Sequence, residues 1–252
     1  MLGRDHLLLS VATVSLVLAP LFTLYPNAML VAIVGTAIGS LVPDADSPDA
    51  AIFHTRVGGI RGDLGTVVNS IGFLFPAFGY PTKYLIYKPS VMFYDRFVFT
   101  DVTIGEHHLG FLHSFLGLGT ATVLTGLYLV LVLYVIGLFS LRYIGVFLLA
   151  YLVGALLHLL EDSCTRSGIE WNYPFRSWTV RGQLVTTSKF EDTVYQRSFL
   201  VVVGGVAVAL FFLPSMEPQI SPLVFGLVGI CLGVLLWATF TRFVANCEVV
   251  RP

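Results

Sequence analysis

Charge is scarce in this sequence. Lysine, arginine, aspartate and glutamate make up 12% of its 252 residues, where a soluble domain carries about 25%. Hydrophobic side chains make up 56%, so the composition excludes an ordinary soluble domain and points to an integral membrane protein. A basic excess is missing as well. The net charge is −1, which leaves no cationic field to draw nucleic acid. Cysteine is rare: Cys164, Cys231 and Cys247 cannot build a disulfide framework. Internal repeats and low-complexity runs are also lacking.

What is present is a series of apolar runs. A membrane span needs about 20 apolar residues, and six runs qualify or come close: about 7–25, 28–42, 114–139, 142–160, 198–213 and 222–243. The second and fifth are short. No small-residue cleavage site follows the first, so it reads as a retained helix rather than a signal peptide. Tyr25–Asn27 makes the first turn, and the proline-rich 213–222 stretch separates the last two helices. The expected architecture is all-α: a polytopic membrane protein, one membrane domain over 1–252, with about six transmembrane helices.

Two polar stretches interrupt the pattern, 43–113 and 161–197. Within the first, 64–80 is apolar but holds Asn69, Gly72, Pro76 and Gly79. It reads as an interfacial or re-entrant segment rather than a seventh span. Residues 83–97 mix Lys83, Lys88, Asp95 and Arg96 with aromatics, the pattern of a surface-lying amphipathic helix. With six spans, all basic residues but Arg142 fall on the side of the two termini. The positive-inside rule then places the N- and C-termini and both polar stretches in the cytoplasm, against the cell (inner) membrane.

The histidines and aspartates collect on that same side. His6 opens the first helix, Asp44 and Asp46 follow Pro43 at the end of the second, His108 and His113 precede the third, and His158 and Asp162 close the fourth. The opposite turns hold no His or Asp, and Glu217 is their one acid. Four helix ends distant in sequence thus bring metal-binding side chains to one face. His158 and Asp162, four residues apart, share a helix face. Asp44 and Asp46 flank Ala45 and can point into one pocket from a turn. Gly110 breaks the chain between His108 and His113, putting the first in a loop and the second in a first helical turn. Glu161 points about 100° away from Asp162 on an ideal helix and reads as solvated. His54, Asp49, His107, Glu191 and Asp192 lie nearby without a clear motif.

Imidazole with carboxylate suits zinc, manganese or ferrous iron ahead of magnesium. A mixed His/Asp set with room for water is the pattern of a hydrolytic site. The expected metal ligands are His6, Asp44, Asp46, His108, His113, His158 and Asp162, for one or two divalent ions. Asp46 or Asp162 is the expected general base. Ser114 and Thr165 are expected to hydrogen-bond the imidazoles. Trp171, Tyr173, Phe175 and Trp178 read as an interfacial aromatic belt or as a wall for an acyl chain.

These motifs resemble those of the membrane-bound metal-dependent hydrolases, a LexA-regulated, inner-membrane-associated family. The family carries an early His, here His6; a PDxD motif, here Pro43-Asp44-Ala45-Asp46; an HRGxTHS motif, here His108-Leu109-Gly110-Phe111-Leu112-His113-Ser114; and an HxxxD helix, here His158 and Asp162. Thr165, Gly168, Trp171, Pro174 and Phe175 complete the pattern. The match covers about residues 3–176. Leu109 replaces the family's Arg and Leu112 its Thr, a change that bears on any anionic substrate. The resemblance implies hydrolase chemistry. A more distant likeness to the helical His/Asp site of zinc-dependent phospholipase C is analogy alone.

The expected function is therefore metal-dependent hydrolysis of a phosphoester or ester of a lipid-like, amphiphilic substrate at the cytoplasmic interface, with membrane lipids as surroundings and no nucleic-acid partner. Two other classes compete. One is a non-catalytic membrane scaffold whose metal staples helix ends. The other is a metal or proton transporter, which would need polar residues along a through-path. The middles of the third, fourth and sixth spans offer only Thr, Tyr, Gly, Ser and Cys.

Overall fold

The computed structural model describes residues 2–60, 62–99, 109–175, 178–187, 189 and 193–251. Among them the chain is nearly all α-helical. Helix α1 covers Gly3–Leu18 and continues through a 3₁₀ turn, Ala19–Leu21. Helix α2 covers Pro26–Gly39, with Pro26 in its first turn, where the missing N–H costs nothing. Three short helices follow: α3 Gly62–Ser70, α4 Leu74–Pro81 and α5 Lys88–Phe97. The long helices are α6 Phe115–Val135, α7 Leu141–Ser163, α8 Val194–Met216 and α9 Pro222–Thr239.

Five helical stretches are long and apolar enough to cross a membrane: Gly3–Leu21, Phe115–Val135, Leu141–Ser163, Val194–Met216 and Pro222–Val244. The sixth expected span is α2. Its 14 residues rise about 21 Å, short of a hydrocarbon core of about 30 Å. It is embedded in the bundle, with Ala32, Gly35, Thr36, Ala37, Ile38 and Gly39 all buried.

Small residues set that burial. A Cβ on Gly39 would overlap the Tyr151 carbonyl, one on Gly35 would sit 2.6 Å from the Phe147 carbonyl oxygen, and one on Gly154 would overlap the Thr36 carbonyl. The backbones of α2 and α7 therefore touch along Gly35, Gly39 and Gly154. Lipid tails are as apolar as leucine, so van der Waals fit of this kind holds membrane helices together. A second close approach joins α1 to α9, where a Cβ on Gly229 would overlap the Leu16 carbonyl. Leu16, Val203, Leu210, Trp237 and Phe240 pack in the same apolar cluster.

Among the described residues, none of the candidate spans falls between α2 and α6. Helix α3 has nine residues, while α4, the turns Thr82–Tyr87 and α5 follow one another without a break from Leu74 to Phe97 and carry Lys83, Lys88, Asp95 and Arg96. Pro81 ends α4, and the following turns, Thr82–Tyr87, widen into π-helix before α5, as is common where proline removes a donor. Helix α5 leaves Met92, Phe93 and Phe97 exposed together with the charged Asp95 and Arg96.

Several boundaries differ from the sequence reading. Pro214 lies inside the last turn of α8 rather than in the following loop, because that helix runs on to Met216. His113 sits in a separate 3₁₀ turn, Phe111–His113, and not in the first turn of α6. A small antiparallel pair was not expected at all: β1 Thr179–Arg181 and β2 Glu248–Val250 join across Thr179↔Val250 and Arg181↔Glu248. Arg181 also donates to Glu248 Oε1 at 3.0 and 3.1 Å.

Because the helices alternate in direction, the start of α1, the end of α2, the start of α6, the end of α7 and the C-terminal strand lie on one side. Single cysteines placed at Ser70, Ser167 and Ser215, in a background without native cysteine, test this in intact and opened cells. All three positions are exposed. Membrane-impermeant labelling is expected to reach Ser70 and Ser167 from the same side and Ser215 from the other. Labelling of Ser70 and Ser167 from opposite sides overturns the arrangement. Gly39→Leu is expected to lower the thermal midpoint, since overpacking of a close contact costs about 1–3 kcal/mol.

Candidate metal centre

Pro43 opens a 3₁₀ turn, Pro43–Asp46, directly after α2. The turn holds its shape through Ala45 N donating to Val42 O at 2.9 Å and Ser47 N donating to Asp44 O at 2.9 Å. It presents Asp44 and Asp46 toward the Phe111–His113 turn. Leu109, at φ +66°, and Gly110 reverse the chain into that turn. His113 N donates to Gly110 O at 3.0 Å. Ser114 then caps α6: its Oγ accepts from Gly117 N at 3.1 Å and donates to Phe111 O at 2.7 Å. The last two turns of α7 contribute His158 and Asp162, and the first turn of α1 contributes His6.

Asp44, His113, His158 and Asp162 each offer one ligand atom, and the four atoms lie within 4.8 Å of one another. His158 Nε2 is 3.1 Å from Asp162 Oδ2 and 3.6 Å from Asp44 Oδ1. His113 Nε2 is 3.6 Å from Asp162 Oδ2 and 3.7 Å from Asp44 Oδ1. Nitrogen and oxygen ligands sit at about 2.0–2.2 Å from zinc, so those of one ion fall within about 4.4 Å of each other. A slight contraction suffices. Asp46 stands at the edge, with Oδ2 3.7 Å from His113 Nδ1. His6 approaches from the other side: Nε2 is 3.4 Å from Asp162 Oδ1, and the ring stacks on His158 with centroids 3.7 Å apart.

The three histidine side chains are fully buried, while the side chains of Asp162 and Asp44 are 7% and 18% exposed. The cluster therefore opens outward at Asp44. Burial disfavours the charged form of Asp44, but His158 and its neighbouring imidazoles outweigh it and hold the carboxyl well below the usual carboxylate range. For His113, burial opposes protonation, yet the carboxylates of Asp162, Asp44 and Asp46 raise its pKa well above the ordinary histidine value. These groups converge on a space that could hold a shared cation.

Hydrogen bonds outside the cluster aim two of the imidazoles. His158 Nδ1 lies 2.7 Å from Ser40 O. A carbonyl only accepts, so Nδ1 carries the proton and the Nε2 of the neutral ring presents its lone pair to the cluster. His6 Nδ1 lies 2.6 Å from Glu161 Oε2, and Ser10 Oγ donates to Glu161 Oε1 at 3.0 Å. That carboxylate turns His6 Nε2 inward in the same way. Neither Nε2 makes a hydrogen bond despite full burial, the condition of a ligand atom aimed at a metal. A carboxylate or carbonyl behind the imidazole is the usual support of a metal-bound histidine.

Glu161 corrects the sequence reading. It is fully buried and paired with His6 rather than solvated. The missed signal was spacing: Glu161 lies three residues beyond His158, hence on the same helix face as well. Ser114 and Thr165 differ from expectation too. Both serve helix ends, Thr165 Oγ1 donating to Asp162 O at 2.7 Å, while Ser40 and Glu161 support the imidazoles. His54 and Asp49 are exposed and stand outside the cluster. His107, His108, Glu191 and Asp192 lie outside the described residues. Leu112, at the family's Thr position, is fully buried in the apolar core. Trp171 is more than an interfacial anchor: its Nε1 donates to Ser163 Oγ at 2.7 Å and its carbonyl accepts from Phe115 N at 2.9 Å, tying α7 to α6 beside the site.

A family model described as YdjM inner membrane protein matches residues 1–242, and the chain belongs to that family. No curated protein matches it, and no solved structure does.

Elemental analysis of gently purified protein is expected to find at least one divalent ion per chain. His158→Ala, His113→Ala and Asp44→Ala are each expected to lower its occupancy. Glu161→Gln is expected to weaken metal affinity about 10–100-fold, the usual cost of losing the group behind a metal-bound histidine. Full occupancy in all four variants refutes the assignment.

Proposed function

We propose that this member of the YdjM inner membrane protein family is a membrane-embedded, metal-dependent hydrolase that cleaves a phosphoester or ester of a lipid-like substrate. The observation that carries this reading is the excess of ligand-type groups around one accessible point. A closed structural ion needs four ligands. Asp44, His113, His158 and Asp162 already make four, and His6 and Asp46 stand against them. The exposed edge at Asp44 supports an open position rather than an enclosed ion.

When bound, a divalent ion supplies Lewis acidity, which makes water a nucleophile near neutral pH and polarises the ester oxygen. Zinc or manganese suits the donor set better than magnesium. His113, His158 and Asp162, with Asp44, would hold it. His6, held by Glu161, orients against Asp162 and would complete the set or position a second ion. Asp46 is the stronger candidate for the general base: it lies at the edge of the cluster, whereas Asp162 faces three imidazoles and is better placed as a ligand. A carboxylate in that role accepts the proton that leaves water as the new bond forms.

The level of the site supports an amphiphilic substrate. His6 lies in the first turn of one spanning stretch and Asp162 in the last turn of another, where chains pass from apolar to polar surroundings. Trp171 and Trp178 line a cavity of about 290 Å³ with Leu160 and Ser163, next to Asp162 in sequence. The positive-inside bias supports a cytoplasmic location for the site and both termini.

Purified protein is expected to cleave at least one member of a panel of phospholipid and acyl-ester substrates. Chelator is expected to abolish the activity, and zinc or manganese to restore it. Asp46→Asn is expected to lower kcat by a factor of about 100 or more with metal content unchanged, in line with loss of a general base. If the panel shows no metal-dependent turnover while the ion stays bound, the metal serves to staple four helix ends and the scaffold reading replaces this one.

A further inference from the structure

The three cysteines are free thiols, and two of them face each other. Cys164 Sγ and Cys247 Sγ are 3.7 Å apart, although 83 residues separate them in sequence. Both are set by backbone pairing. Leu184 N donates to Cys164 O at 3.0 Å and Gln183 N to Ala245 O at 2.8 Å, so the 182–184 segment after β1 bridges the end of α7 and the C-terminal tail. Gly182 permits this: a Cβ there would overlap the Cys164 carbonyl and come within 2.9 Å of Ala245 O. Asn246, at φ +47°, turns the chain into β2, a conformation asparagine tolerates better than most residues. Cys247 N donates to Thr241 O at 2.9 Å.

The two thiols differ in access. Cys164 is fully buried. Cys247 is half-buried and lines the same cavity as Trp171, Trp178 and Thr241, so a small molecule can reach it. Cys231 is exposed along α9 and belongs to neither group. A disulfide requires sulfurs about 1.7 Å closer than they are. Strand β2, which follows Cys247 directly, has a single neighbouring strand, and two of its three residues are exposed.

We propose that Cys164 and Cys247 form a reversible thiol–disulfide modification site that takes a small disulfide oxidant and, once closed, ties the C-terminal strand to the helix end bearing Asp162. In the first step the Cys247 thiolate attacks one sulfur of the small disulfide, and one small thiol leaves. In the second, the Cys164 sulfur attacks the Cys247 sulfur of that mixed disulfide as its proton passes to the departing sulfur, and the second small thiol leaves. The two cysteine protons end on the two released thiols. The protein pair loses two electrons and the small disulfide gains them. The chemistry is ordinary thiol–disulfide exchange, and it stands whether or not the neighbouring cluster binds a metal.

The test uses intact protein in nanodiscs, treated with oxidised glutathione, acid-quenched, alkylated and mapped by peptide mass spectrometry. Alkylatable thiols are expected to fall from three to one, with Cys231 the one remaining, and a Cys164–Cys247 peptide is expected to appear and to vanish on reduction. Cys164→Ser is expected to hold glutathione on Cys247 as a stalled mixed disulfide. Cys247→Ser is expected to give neither product. The oxidised wild type is expected to unfold at a higher temperature than the reduced form, because the bond closes a long loop of the unfolded chain, and this shift is expected to be absent in Cys247→Ser. Retention of three alkylatable thiols after treatment, or linkage through Cys231, overturns the proposal.

Discussion

The contact between α2 and α7 is the constraint on which the site depends. Gly35, Gly39 and Gly154 let the two backbones meet. That approach carries the end of α2 far enough along α7 for Ser40 O to accept from His158 Nδ1 at 2.7 Å. One residue of packing therefore has two results. It satisfies an otherwise orphaned carbonyl at a helix end, and it fixes which nitrogen of His158 faces inward. The turn that follows, Pro43–Asp46, starts from this same point, so the position of Asp44 relative to Asp162 is set by helix packing rather than by loop chemistry. A larger residue at Gly39 would shift both.

Much of this was legible in the chain, and the exceptions have physical causes. Long apolar runs announced the spanning helices, because the bilayer imposes a length that few other contexts require. Asp44, His113, His158 and Asp162 were legible because helix ends on one side of a bundle must lie near one another. Glu161 was not. An exposed glutamate and one held inside by His6 and Ser10 look alike until the crossing of α1 over α7 is known, and that crossing rests on packing with no pattern of its own in the sequence. The β1–β2 pair escaped for a related reason. Each strand has three residues, too few for alternation to register. The support of the imidazoles was assigned to Ser114 and Thr165 from their sequence neighbours, whereas Ser40 O supplies one of the bonds and leaves no trace in residue identity.

Electrostatics explains why such a cluster sits where it does. Among the described residues, four carboxylates (Asp44, Asp46, Glu161 and Asp162) meet three imidazoles (His6, His113 and His158). Even with every imidazole protonated, the acids outnumber the imidazoles by one among these side chains. Removing that excess from water costs several kcal/mol per uncompensated ion, and the cost at the centre of a bilayer is greater than at its edge. A divalent cation held there would offset the excess without adding a side chain, with Asp44 at the solvent-exposed edge. The same balance accounts for Glu161. The Glu161 carboxylate, buried behind His6, would strengthen His6 as a ligand to any cation held there, while the short hydrogen bonds from His6 and Ser10 stabilise the acid itself. Among the described residues, these buried acids and imidazoles thus lie together at the helix ends, where each can be stabilised by the others and where the donor set could hold a shared cation.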